Sequence, residues 1–125
     1  MKRNMKVTPM SSPTVTLISK IVSILRTVHS GSFYLKASNT VPYPYITFKI
    51  SEIGDSMKLE LDYWTNSKDS TSLETLADSI YAKLHKYTET NSDLSITIYK
   101  NGNRQRLDED SIQRINETYE IRYYG

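Results

Sequence analysis

The chain has no cysteine in its 125 residues, so disulfides and thiolate metal sites are excluded. It holds four glycines, spread along the sequence, and none builds the clustered cradle of a phosphate loop. No apolar run approaches the ~18–20 residues of a membrane span. A surplus of one charge is missing too: a formal net charge of +2 is too small to imply nucleic-acid affinity by itself. No G-x-S-x-G, H-E-x-x-H or acidic calcium loop occurs. Lys2, Arg3 and Lys6 are followed by Pro9 and Pro13, not by an apolar segment with a small-residue cleavage site. A signal peptide is therefore not expected, and cytoplasmic synthesis is.

What remains is a chain of single-domain length with 38% apolar residues, enough for a hydrophobic core. Its ten tyrosines are the unusual count. Tyrosine suits strands, and it also gives interfaces large contact area at low entropy cost. Residues 1–13, basic and proline-containing without a period, read as a flexible arm, and 14–125 as one domain. Leu17, Ile18, Ile21, Val22, Leu25 and Val28 recur at helical spacing. Gly31 is placed to end that helix as a left-handed cap. Residues 33–35 are expected to form a short strand, and 39–44 a loop holding two prolines.

Two alternating segments follow. Ile46, Phe48 and Ile50 form one; Met57, Leu59, Leu61 and Tyr63 form the other, with Gly54-Asp55 turning between them. They read as an antiparallel hairpin with one wet face. Thr71 and Glu74 form a capping-box pattern. Leu73, Leu76, Ala77, Ile80, Leu84 and Tyr87 then mark a second helix, expected to end near Tyr87 or Thr88. Leu94, Ile96 and Ile98 alternate, and Asn101-Gly102 is a strong hairpin signal. A last strand is expected over residues 118–124, with Tyr119, Ile121 and Tyr123 facing one way. The class is α+β, a mainly antiparallel sheet with two helices packed on one face.

Candidate chemistry is sparse, and no enzyme activity, cofactor or metal is expected. His29 and His85 fall at helix ends, where histidine suits the local dipole. Asp108, Glu109 and Asp110 point in different directions and read as a solvated turn. Glu60 and Asp62 share the polar face of one strand without a cleft. Lys100, Arg104, Arg106 and Arg114, beside Tyr99, read either as a patch for an acidic partner or as charge guarding a sheet edge. The nearby acidic residues favour the guard.

The order of motifs resembles a known family. Pro44-Tyr45-Ile46-Thr47-Phe48 opens a strand, and Asp62-Tyr63-Trp64 closes the next. Leu76-Ala77-Asp78-Ser79-Ile80, with Leu84, lies on the helix, and Tyr119-Glu120-Ile121-Arg122-Tyr123 ends the chain. In this order, over residues 17–124, they resemble the tail-completion or tail-terminator proteins of long-tailed bacteriophages. The resemblance implies a structural ring, commonly a hexamer of the chain itself, that caps the tail tube and docks to the head at the head–tail junction of the virion. Its partners would be the tail-tube protein and a head-completion protein. DNA would pass through the lumen without specific binding, and no membrane is involved. Tyr63, Trp64, Tyr119, Ile121 and Tyr123 are then subunit-interface candidates. Tyr43, Tyr45, Asn101, Arg104 and Arg106 are candidates for loops facing tail or head. Two alternatives share the pattern: a ubiquitin-like β-grasp interaction module, acting as a monomer, and a head–tail connector of similar size.

Overall fold

A computed structural model of the chain describes residues 13–92 and 94–123. The arm expected over 1–13 lies outside the described residues, apart from Pro13, which opens helix α1 (Pro13–Val28). Proline at the first helical position loses no hydrogen bond, because that amide has no partner within the helix. Six strands and one more helix follow: β1 (Ser32–Tyr34), β2 (Tyr45–Ile53), β3 (Ser56–Thr65), α2 (Ser72–Leu84), β4 (Thr88–Thr90), β5 (Ser95–Arg106) and β6 (Gln113–Tyr123).

The strands form one sheet in the order β1-β2-β3-β6-β5-β4. Only β1 and β2 pair in parallel. Both helices cover one face. Leu17, Ile21 and Leu25 of α1 and Leu73, Ala77, Ile80 and Leu84 of α2 are fully buried against the inward residues of the sheet. Those are Ile46 and Phe48 of β2, Leu59, Leu61 and Tyr63 of β3, Ile96 and Ile98 of β5, and Ile115, Tyr119 and Ile121 of β6. Burying each Leu or Ile contributes about 1.5–3 kcal/mol, so this layer carries the fold. The opposite face is polar, as the alternation of the hairpin requires. The fold is α+β.

Several local expectations are corrected. Gly31 is not left-handed: positive φ among the glycines is found at Gly54 and Gly102. Its use is space, since a Cβ there would stand 3.1 Å from His29 Nε2. That ring meets the Pro44 carbonyl at 2.7 Å and ties the end of α1 to the loop before β2. The capping box does not form. Thr71 is helical and makes no side-chain cap bond, and its amide and hydroxyl donate to Asp69 Oδ1 instead. Glu74 is drawn away to arginines of β5. Helix α2 ends at Leu84, because Lys86 (φ 66) turns the chain into β4. Tyr87 packs on the core rim from this turn, not from the helix.

Asn101-Gly102 makes no hairpin. β5 runs through it, and Gly102, Asn103 and Arg104 stand opposite the single residue Glu117 in a bulge. Gly102 has φ 79 there. A bulge and a tight turn both use a residue with positive φ, so the dipeptide alone does not separate them. The chain reverses later, at the acidic stretch, where Glu109 and Ile112 bridge and Asp110 has φ 40. β6 consequently starts at Gln113, five residues before the expected strand.

Candidate functional site

The inward face of β6 runs Ile115, Glu117, Tyr119 and Ile121, and places a carboxylate inside the core. Glu117 is fully buried. Tyr63 of β3 donates its hydroxyl to Oε1 at 2.7 Å, and Arg104 Nε donates to Oε2 at 2.8 Å. The bulge brings Arg104 in. The same guanidinium reaches Glu74 at 3.1 Å and Asp78 at 2.9 Å on α2. Arg106 extends the network to Glu74 at 2.7 Å, to Asp108 at 3.2 Å and to the Ser70 carbonyl at 2.9 Å.

Burial alone would lower the Arg104 pKa. Its hydrogen bonds to Glu117 and Asp78 more than reverse this, so the guanidinium stays charged. Burial first, then the Glu117 carboxylate, push the Tyr63 phenol well above its ordinary value. The same two causes raise Tyr119, whose buried hydroxyl has no hydrogen-bond partner among the described residues. A surface hollow of 440 Å³ beside the bulge is lined by Asp78, Tyr81, Lys100, Arg104 and Glu117 among others. Within it Arg104 is paired with both Asp78 and Glu117, which ties β5 and β6 to α2.

The outward face carries a second cluster. Tyr45 and Trp64 are cross-strand partners and stack at 6.2 Å, and Tyr43 stacks on Tyr45 at 5.3 Å. Arg114 of β6 lies over the indole at 4.9 Å and donates to Asp62 at 3.0 Å. The indole N–H donates to Thr47 Oγ1 at 3.0 Å. Burial, then the neighbouring Tyr43, raise the Tyr45 pKa. Below this row, Asn116 Nδ2 donates to both Glu60 (3.0 Å) and Asp62 (2.9 Å). Burial would raise the Glu60 pKa, but the Asn116 hydrogen bond and the charges of Lys49 and Lys58 outweigh it, and the net shift is downward. Glu60 and Asp62 are thus acceptors in an open polar ladder. Among the described residues no three His, Asp or Glu groups converge to hold a metal ion, and no helix is long and apolar enough to cross a membrane.

The expected site residues divide between core and surface. Tyr63, Tyr119 and Ile121 are fully buried within their own chain and have no side-chain surface to offer a neighbour. Tyr123 packs on the rim of the core. Trp64 faces outward and joins Tyr43 and Tyr45, so three candidates from two segments meet in one place. Asn101, Arg104 and Arg106 lie on strand β5 and not in a loop, and both arginines turn inward to acids. The basic cluster is therefore no free patch: Arg104, Arg106 and Arg114 are each paired with carboxylates, and Lys100 Nζ donates to the Gly102 carbonyl. Sequence reasoning passed over Glu117. Its signal was its parity, a charge at an inward position between Ile115 and Tyr119. His85, read as a helix-end histidine, also accepts the Lys100 amide on Nδ1 at 3.0 Å, and so caps the edge of β5 just before β4 begins.

No family model matches the sequence, and no curated protein matches it. Solved structures do match in shape. A chain of the virion of a native gene transfer agent particle is 10% identical with a TM-score of 0.63, over 89% of this chain and 92% of that one. A second solved protein is 12% identical with a TM-score of 0.63, over 94% of this chain and 99% of its own. At such identities the likeness is one of fold, and it extends over most of both chains.

Proposed function

We propose that the chain is a structural protein of a phage-like virion, and within it a tail-terminator or tail-completion subunit. It assembles with copies of itself into a ring, a hexamer, on the last ring of the tail tube. There it stops tube growth and offers the docking surface to a head-completion protein. DNA passes through its lumen, and the chain catalyses no reaction. The observation that carries this reading is the fold shared with a gene transfer agent virion chain over 92% of that chain. The motif order from Pro44-Tyr45-Ile46-Thr47-Phe48 to the last strand supports the finer assignment.

A β-grasp module would act as a monomer and leaves α1 without a role. The match to the virion chain spans 89% of this chain, more than a β-grasp unit over residues 46–124 would fill, which favours the virion reading. A head–tail connector differs in partner: it is expected to bind heads before tails, whereas a terminator co-sediments with tail tubes. The first test is molar mass by light scattering over a concentration series, with negative-stain imaging of the largest species. A ring of six 14.4 kDa subunits is expected. A monomer at every concentration, on tubes as well as off them, counts against the ring.

A further inference from the structure

The sheet is half open at both ends. β1 covers β2 only from Ile46 to Phe48. Leu35, at φ 71, then turns the chain away after its amide has bonded the Phe48 carbonyl. Ile46 and Phe48 direct their backbone groups toward β1, with Ile46 N–H donating to the Gly31 carbonyl. Strand parity therefore directs those of Ile50 and Glu52 the same way, into an empty slot. At the far end, Tyr87 and Asn91 bond β5 and its approach, so the backbone groups of Thr88 and Thr90 point outward. None of these four outward amides has a hydrogen-bond partner among the described residues. No proline or bulge blunts residues 49–53. Leu35 (59% exposed) and Ile53 (52%) flank the slot with apolar surface.

We propose that these two edges bind each other between neighbouring copies, β4 of one entering the slot beside β2 of the next. This rests on the ring reading. Four antiparallel steps separate β2 from β4, so the two strands run in the same direction. For strands that run along the ring axis, rotation about that axis keeps their direction, so neighbours present β2 and β4 in parallel. The slot continues a parallel partner, β1, that stops early. The parallel pattern then joins Ile50 N–H to the Thr88 carbonyl, Thr90 N–H to the Ile50 carbonyl, and Glu52 N–H to the Thr90 carbonyl. The contact is head-to-tail, uses different surfaces on the two copies, and closes by rotation.

Proline separates this interface from the fold, because it removes an amide without cost to a ladder only where the N–H points outward. Glu52→Pro and Thr90→Pro are each expected to keep the circular dichroism and melting of the wild-type monomer and to lose the ring. Mixed together they should form one dimer and nothing larger, since each retains the edge that the other lacks. Without mutation, exchange of the Ile50, Glu52 and Thr90 amides should slow at least tenfold on assembly. Rings that form equally from both variants, with unslowed exchange at these amides, overturn the edge pairing alone. A wild-type chain that never assembles, even on tubes, overturns the ring and the pairing together.

Discussion

Tyr63 donates its hydroxyl to the Glu117 carboxylate at 2.7 Å, and so closes a buried polar contact between β3 and β6 that Arg104 completes from the bulge in β5. A carboxylate in a hydrophobic layer is costly unless it is paired and fully hydrogen-bonded. Here the pairing also ties the sheet to α2 through Glu74 and Asp78.

Removing Arg104 should therefore cost more than its own contacts. Arg104→Met leaves Glu117 buried without its counter-charge, and a loss of about 3–5 kcal/mol in urea unfolding is expected. The double change Arg104→Met with Glu117→Leu should recover much of that loss. Equal losses in the single and double variants would mean that the pair does not act as a unit.

Alkaline pH should weaken the fold through Tyr63 and Tyr119. Both phenols have a folded pKa raised above the ordinary value, so the folded state holds their protons more tightly than the unfolded state does. Their contribution is complete below about pH 10, the unfolded tyrosine value, and is lost as pH rises through the folded values. The melting temperature should fall above that point, and more shallowly in Tyr119→Phe. At neutral pH the same variant should be neutral or stabilising by up to about 1 kcal/mol, because it removes a buried hydroxyl with no hydrogen-bond partner among the described residues.

Gly102 is expected to resist substitution more than Gly31. Its φ of 79 strains any L side chain although the space around it is open. Gly102→Ala should cost about 1–2 kcal/mol by thermal unfolding. It should also loosen the bulge that delivers Arg104, seen as faster amide exchange at residues 102–104.

The outward aromatic row should contribute little to folding. Arg114→Ala leaves the core untouched, so its stability should stay within about 1 kcal/mol of wild type. The fluorescence of Trp64, the only tryptophan, should nevertheless change, because the guanidinium 4.9 Å above the indole is gone.

Much of the fold was legible because periodicity reports burial. The apolar spacing from Leu17 to Val28 and from Leu73 to Leu84 gave both helices, and the alternation around Ile46 and Leu59 gave the hairpin. The errors share a cause: a local signal met a tertiary demand. The capping-box Glu74 was taken by Arg104 and Arg106, which are distant in sequence. The positive φ that Asn101-Gly102 advertised was spent in a bulge. The site was less legible. Alternation places Tyr63, Tyr119 and Ile121 on one face, but it does not say whether that face meets the chain's own helices or a neighbour. The Tyr43–Tyr45–Trp64 row needed the register of β2 on β3.

A chain that ends a tail tube and joins it to a head, as proposed, should leave its mark on particle architecture. The most direct measurement is electron microscopy of particles made with and without its gene. Without it, tail tubes of irregular, overgrown length and unjoined heads are expected, and supplying the chain in trans should restore joined particles. Tails of normal length, joined to heads in its absence, would contradict the claim.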